Sequence, residues 1–505
     1  MSIIFSERQV IFMKILLAYP KSPETFWGFN HALKFISKKA AFPPLGLITV
    51  AAMLPAAWDK KLIDMNVKTI KDDDIKWADF VFISAMVIQK QSARELISRC
   101  KKLGVKTVAG GPLFTSEYQD FDDVDHLVLG EGELTIPEFL RDLDNNCPKH
   151  IYTTNEWADL TQTPAPLWNL IDMSNYSTLN IQYSRGCPFN CEFCNITTLF
   201  GRIPRTKPVG HLISELDAIY EMGWKGSIFF VDDNFIGNRK KLKEEVLPAL
   251  IEWLEQRDYP FSFFTEVSIN LSDDDELMNL MVRAGFKTVF IGIETVSEES
   301  LTECNKLQNK NRNLEECVKK IQRNGLQVQG GFIIGFDSDN KTIFKKMIRF
   351  IQDTGIVTAM VGLLNAPRGT LLYKRLKKEG RIEEGFSGNN TSLSINFKPT
   401  MNLKELISGY KYVVSTLYSP KHYYERVTNF LNEFRPSNFG KRHIGLSEIE
   451  AFLKANVYLG LFGKERKYYW KLFFGCMFKR PKVFDLAITF AIYGYHFRKI
   501  FEEYT

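Results

Sequence analysis

From residue 14 to about 145, short apolar runs alternate with segments of helical periodicity: KILLAY at 14, KLIDM at 61, ADFVFISAM at 78, VKTVAGG at 105 and VDHLVLG at 124. This alternation predicts a doubly wound parallel sheet. Ligands bind such sheets beyond the carboxyl ends of the strands. Here those ends carry Tyr19-Pro20, Asp64, Ala109-Gly110-Gly111-Pro112 and Gly130-Glu131-Gly132. Glycine at these places allows close backbone approach to a ligand, and serves strand-to-helix turns equally well.

A second series begins near Asn180, with runs NIQYS (180), SIFFV (227), FSFFTEVSI (261), TVFIGIE (288), QVQGGFIIGF (327) and TAMVGLL (358). Between them Leu212, Leu216 and Ile219, and again Leu277, Leu280 and Met281, follow the spacing of one buried helix face. Regular alternation without hairpin signals predicts parallel strands joined by crossover helices, hence a full or partial β/α barrel whose chemistry sits at the carboxyl ends of its strands. Pro148, Pro164, Pro166 and the polar run TTNEWADLTQT mark a linker between the two series. After about residue 400 the strand pattern fades into helical stretches near 403–418, 446–459 and 483–501. The expected organisation is a doubly wound domain over 1–146, a linker over 147–176, a partial barrel over 177–400 and a small helical domain over 401–505.

The 505 residues, 45% hydrophobic and 25% charged, suit several globular cores and exclude bulk disorder. Eight cysteines are sparse for a disulfide framework, and no secretion signal or membrane-spanning run is read, so a reducing, cytoplasmic setting is expected. The net charge of +6 is concentrated in residues 451–505, which hold ten Lys or Arg against four acids. A nucleic-acid enzyme should line its substrate path with basic residues and carry a recognition module, and neither is found.

Three of the cysteines stand together just past the first barrel run, in Ser184-Arg185-Gly186-Cys187-Pro188-Phe189-Asn190-Cys191-Glu192-Phe193-Cys194. Three thiolates on one tight loop can hold three irons of a four-iron, four-sulfur cluster and leave the fourth iron open. Structural zinc usually takes four ligands, and the nearest histidine, His211, falls in or near a helix. The spacing and its placement resemble the radical S-adenosylmethionine superfamily over about residues 14–400. The resemblance implies a 4Fe-4S cluster on Cys187, Cys191 and Cys194, S-adenosylmethionine on its open iron, and a low-potential flavodoxin- or ferredoxin-like electron donor. It also implies that Phe193 packs near the adenine, a role compatible with a hydrophobic plug beside the cluster. Asp232 or Asp233, in VDDN, would meet the methionine amine, unless the pair caps the following helix. Glu294 would contact ribose or amine, or else form a strand-end salt bridge. Gly331 and Gly335 would flank the adenine, or serve packing alone. In GRIPRTKP (201–208), three cations either bind an anionic group or belong to a solvated loop. No residue is assigned to the chemical step itself.

A doubly wound, Rossmann-like domain before such a barrel resembles the cobalamin-binding domain of class B radical enzymes, down to Pro43-Pro44-Leu45-Gly46-Leu47. On that resemblance Gly110, Gly111 and Gly130 would lie at the cobalamin. The D-x-H-x-x-G signature of many cobalamin proteins is missing, since His126 directly follows Asp125. SRGCPF (184–189), VDDNFIGN (231–238), FIGIET (290–295) and NKLQN (305–309) resemble the subgroup that includes hopanoid C-2 methylases and bacteriochlorophyll side-chain methylases. The implied reaction is methylation of an unactivated carbon of a hydrophobic polycyclic small molecule, hopanoid-like or tetrapyrrole. The runner-up keeps both cofactors but ends in cyclisation or oxidation. The alternative of another class is a non-catalytic iron-sulfur or zinc protein. Residues 451–505 carry sixteen aromatics interleaved with cations. They read either as an interfacial helix in peripheral contact with the inner face of a membrane or as a helical lid with its own aromatic core.

Overall fold

The computed structural model describes residues 12–383, 385–436 and 445–502. Six strands form a wholly parallel first sheet: β1 (Lys14–Tyr19), β2 (Asp59–Asp64), β3 (Phe80–Ser84), β4 (Lys106–Gly110), β5 (His126–Val128) and β6 (Ile151–Tyr152), in the order β2-β1-β3-β4-β5-β6. Successive side chains of β1 go to opposite cores. Leu16 joins Ile83, Ala109 and Leu127 on one face, while Leu17 joins Phe82, Val108 and Val128 on the other. Both faces are clothed by helices, which is why β1 and β3 read as unbroken apolar runs rather than as alternation. The sixth strand escaped the sequence reading because two residues give no periodicity; pairing of Leu127 with Ile151 and Val128 with Tyr152 creates it.

The second sheet is also parallel and six-stranded. Its members are β7 (Leu179–Ile181), β10 (Gly226–Phe230), β11 (Phe261–Val267), β12 (Phe286–Glu294), β13 (Gln327–Ile334) and β14 (Ala359–Leu363), in the order β14-β13-β12-β11-β10-β7. Its two edges, β7 and β14, do not pair, so the barrel is partial. Alternation is clean in β11: Phe261, Phe263, Thr265 and Val267 are buried, whereas Ser262, Phe264 and Glu266 are half-buried. A short antiparallel pair not foreseen from the sequence, β8 (Ser184–Arg185) with β9 (Arg205–Thr206), closes the neck of the cysteine loop.

Among the described residues, compact packing groups those up to 23 with 44–172, and 24–43 with those from 173 onward. The segment 24–43 runs along the β7 edge. Asn175 O accepts the Lys39 and Ala40 N–H groups at 2.9 and 3.2 Å, Ser177 and Thr178 donate back to Ala40 and Ala41, and Asn180 Nδ2 donates to Pro43 O at 3.1 Å. Its Phe26 ring stacks on Phe497 at 4.2 Å. The tail is helical over Leu403–Tyr418, Pro420–Glu433, Leu446–Ala455, Arg466–Lys479 and Phe484–Phe501. The second of these starts with Pro420 in its first turn, where proline costs nothing because that N–H has no intrahelical partner.

Candidate active site at the barrel mouth

The cysteine loop leaves β8 through Gly186, whose φ of +94° lies in the left-handed region. A Cβ there would stand 2.9–3.2 Å from the carbonyl oxygens of Ile203, Phe200 and Gly201, so the loop folds back on glycine backbone. Cys187 N–H donates to Gly201 O at 3.3 Å, and Cys194 N–H to Cys191 O at 3.2 Å. Between them Glu192 is fixed: its N–H donates to Cys304 O at 2.9 Å, and its carboxylate takes a two-pronged ion pair from Arg375, at 2.7 and 3.1 Å. Cys191 is buried and its two partners half-buried. Burial pushes the Cys187 thiol up and the Cys194 thiol up to about 12, so thiolates form there only opposite strong positive charge, such as iron. Among the described residues, no three His, Cys, Asp or Glu side chains converge as ligands of a single ion. A cluster asks its thiolates to stand apart at separate corners.

The adjacent acids after β10 brace this loop. Asp232 accepts the Tyr183 N–H at 3.2 Å and both the N–H and the hydroxyl of Ser184, and burial pushes its carboxyl up to about 7. Asp233 accepts the Gly186 N–H at 2.8 Å, and burial raises it to about 6. Neither caps the helical turn that follows, where Asn234 takes the cap position without a side-chain bond. The cations of 201–208 are divided: Lys207 is buried on Glu215, Arg205 donates to Phe200 O at 3.0 Å, and Arg202 is exposed.

At the end of β12, Glu294 takes φ +66°, a strained conformation for a side-chain-bearing residue, across a register shift with β13. Its Oε1 lies 2.8 Å from Lys306 Nζ. A Cβ on Gly292 would fall 2.2 Å from that Oε1 and 2.9 Å from that Nζ, so glycine at 292 is what lets the pair fold over the strand end. Burial works against the Lys306 charge, but the Glu294 carboxylate beside it, which also accepts its hydrogen bond, outweighs burial and holds the ammonium protonated. Burial, reinforced by Asp233, pushes Glu266 on β11 up to about 8. Gln308 Nε2 donates to Cys191 Sγ at 3.8 Å. Glu266, Lys306 and Gln308 were not singled out from the sequence, although the last two lie inside the NKLQN stretch.

Phe193 packs with Phe336, ring centroids 6.3 Å apart, in an apolar cluster with Leu364 and Leu372. On β13, a Cβ at Gly331 would sit 2.8 Å from the Phe290 ring. Gly335 takes φ +112° and donates its N–H to Asp339 at 2.9 Å. The remaining singled-out glycines belong to the first sheet. A Cβ at Gly110 would meet Val128 O at 2.7 Å, and one at Gly111, with φ +89°, the Ser84 hydroxyl at 2.6 Å. Gly130, with φ +78°, donates to Thr115 Oγ1 at 3.0 Å and leaves open space where a side chain would be. His126 is buried in β5 between Phe80 and Phe139 with Nδ1 on Lys149 O at 2.7 Å, so it faces the core.

The chain matches the B12 binding domain over residues 36–140, the Radical SAM superfamily over 181–351, and a domain of unknown function (DUF4070) over 370–505. It is similar to an uncharacterized methyltransferase of Synechocystis sp., 39% identical, over 96% of this chain and 91% of that one. It is 36% identical to the hopanoid C-2 methylase of Rhodopseudomonas palustris over 73% of this chain and 71% of the methylase. In fold it resembles the radical S-adenosylmethionine methyltransferase TsrM from Kitasatospora setae, solved with cobalamin and a 4Fe-4S cluster bound. That match has a TM-score of 0.63 and 12% identity over 91% of this chain and 98% of that one. The radical SAM domain brings a 4Fe-4S cluster and S-adenosylmethionine, and the B12 domain brings cobalamin. With both domains in chain order and relatives of this identity over most of its length, the chain belongs to the cobalamin-dependent radical S-adenosylmethionine methyltransferases.

Proposed function

We propose that the enzyme methylates an unactivated carbon of a hydrophobic polycyclic substrate, hopanoid-like or tetrapyrrole. The observation that carries this reading is the concave face of the partial barrel. Below the thiols and the Glu294–Lys306 pair, that face is aromatic: Phe229 stacks on Phe264 at 4.5 Å, Phe42 leans on both, and Trp27 meets Phe290 edge-on at 5.4 Å. All five rings are only half-buried. Flat, partly open aromatic walls suit a rigid apolar ring system and offer few hydrogen bonds to a polar one. The relatives whose names state a substrate act on compounds of this kind, a hopanoid in one and bacteriochlorophyllide d in another.

In this reading Cys187, Cys191 and Cys194 hold the cluster, which the loop fits because its thiols are desolvated and its backbone is pinned at Gly186 and Glu192. When bound, the cluster and S-adenosylmethionine supply the hydrogen-abstracting radical and cobalamin supplies the methyl group. The chain's own residues bind and orient. Asp233, Glu266 and Glu294 offer acids to the methionine ammonium, and Lys306 a cation to its carboxylate. Asp232 is committed to the loop instead. Phe193 and Phe336, the latter next to Gly335 just past the end of the strand that carries Gly331, provide an apolar wall for the adenine. Gly110, Gly111 and Gly130 bound the carboxyl edge of the first sheet, and the open space at Gly130 fits close approach by cobalamin. A low-potential flavodoxin- or ferredoxin-like donor would reduce the cluster.

Anaerobic reconstitution with iron, sulfide, cobalamin and S-adenosylmethionine, with hopanoid and tetrapyrrole extracts as substrate, tests the reading by mass spectrometry. Deoxyadenosine, S-adenosylhomocysteine and a product one methylene heavier are expected. Deoxyadenosine without S-adenosylhomocysteine would shift the assignment to cyclisation or oxidation.

A further inference from the structure

The helical tail carries a surface that the site above does not use. Along Leu446–Ala455 and its continuation Asn456–Leu461, Ile449, Leu453, Val457 and Leu461 recur every four residues and are 48, 59, 42 and 59% exposed. Phe462 follows, at 78%. On the helix Arg466–Lys479, Trp470, Phe474 and Phe478 stack in a ladder with centroids 5.4 and 6.4 Å apart, and Phe478 is 75% exposed. The Trp470 indole N–H donates to Gly460 O at 2.9 Å, which joins the ladder to the first row. Single exposed apolar side chains are ordinary on a protein surface; two linked rows of them mark a contact site.

The charges around these rows select the occupant. Arg466, Lys467, Lys471 and Lys479, all on the ladder helix, are exposed and form no ion pair among the described residues. The neighbouring acids are engaged elsewhere: Glu465 is buried on Arg498, Glu450 pairs with Lys454 at 2.6 Å, and Glu448 accepts the Gly445 N–H at 2.9 Å. A two-fold contact with a second copy would set these four cations against themselves. Exposed rings and aliphatic side chains interleaved with unpaired cations instead match a helix lying in the headgroup region of an anionic bilayer. Among the described residues no helix is long and apolar enough to cross a membrane, so the contact is interfacial.

We infer that this face docks the enzyme on anionic phospholipid, with Phe462, Phe474 and Phe478 inserted and the four cations at phosphate level. The inference stands on surface composition and is independent of the cofactor and substrate assignments. For a polycyclic substrate dissolved in a bilayer, such docking places the enzyme at the substrate's source.

The test is co-sedimentation of the full chain with mixed phosphatidylglycerol–phosphatidylcholine vesicles and with pure phosphatidylcholine vesicles. Wild type is expected to bind the anionic vesicles at least about tenfold more tightly than neutral ones and to weaken as salt is raised. Phe478→Ser alone should weaken binding several-fold, and the Phe462→Ser, Phe474→Ser, Phe478→Ser triple variant at least about tenfold, with unchanged melting temperature because these side chains lie outside the core. Lys467→Glu with Lys471→Glu should remove the preference for anionic lipid. Equal sedimentation of wild type and triple variant, or none of either, overturns the proposal. So does a wild-type dimer that the triple variant converts to monomer without any vesicle preference, which assigns the face to a second copy.

Discussion

The two parallel sheets use the same β/α units but treat their faces differently. In the first, Ile15, Leu16, Leu17 and Ala18 are all fully buried along one strand, so both faces are core and polar chemistry is confined to the loops at the carboxyl edge. In the second, helices cover only the outer face, and the inner one is left to Phe229, Phe264, Phe290, Glu266 and Glu294. A doubly wound sheet therefore offers a ligand an edge, and a partial barrel offers it a wall.

The sharpest break of this comparison is at the cysteine loop. Cys191→Ala should abolish cluster assembly and deoxyadenosine formation together, read by iron and sulfide content and by mass spectrometry, while cobalamin uptake by the first domain persists. Loss of cobalamin as well would mean that the two regions do not act separately.

Lys306→Met comes next. It leaves Glu294 in a nearly buried position without its partner, at a cost of about 3 kcal/mol in stability, and should weaken S-adenosylmethionine binding by more than about tenfold. Lys306→Arg keeps the charge and should recover part of the binding. An unchanged dissociation constant in Lys306→Met would remove this lysine from the site.

The sheets can also be compared directly. Leu17→Ala, in the two-sided core, should cost about 2–5 kcal/mol in chemical denaturation. Phe264→Ala, on the barrel's inner face, should cost less than Leu17→Ala but should raise the KM for a polycyclic substrate at little change in S-adenosylmethionine cleavage. Equal destabilisation by the two would show that the barrel interior is packed core rather than wall.

What was legible in the sequence follows the same division. Strands buried on both faces announce themselves as apolar runs, barrel strands as apolar runs regularly alternating with helical segments, and the thiols as a spacing, so the two sheets and the cysteine loop were readable from the sequence. Asp232 illustrates the limit. Its adjacency to Asp233 suggested ligand or helix cap, but its partners are the N–H groups of Tyr183 and Ser184, 49 and 48 residues away, which no local pattern encodes. Glu266 was hidden because one acid in an alternating strand looks like any solvent-facing position. The pair Glu294–Lys306 depends on the left-handed φ of Glu294 and on the space that Gly292 leaves beside it, and neither the φ nor that close approach can be read from residue types alone. The segment 24–43 likewise carries no sign that it packs with residues from 173 onward.

That segment supplies the smallest expected effect. His496, on the last helix, is fully buried and its Nε2 bonds to Phe26 O at 3.0 Å. The His31 ring lies 5.7 Å from it, with Glu24 3.3 Å from His31 Nε2. Burial, aided by His31, lowers His496 to about 4, so the folded chain excludes a proton that the unfolded chain accepts near pH 6.5. Stability from this residue is therefore complete above about pH 6.5 and is lost progressively as pH falls through 6 and 5 toward 4, by about 3 kcal/mol in all. His496→Asn, which cannot take up the proton, should flatten the stability profile over that window relative to wild type, measured by urea unfolding at successive pH values. His31→Gln should leave most of the slope in place. If both variants retain the full wild-type slope, the acid sensitivity arises elsewhere, and the docking of residues 24–43 on the tail is not its source.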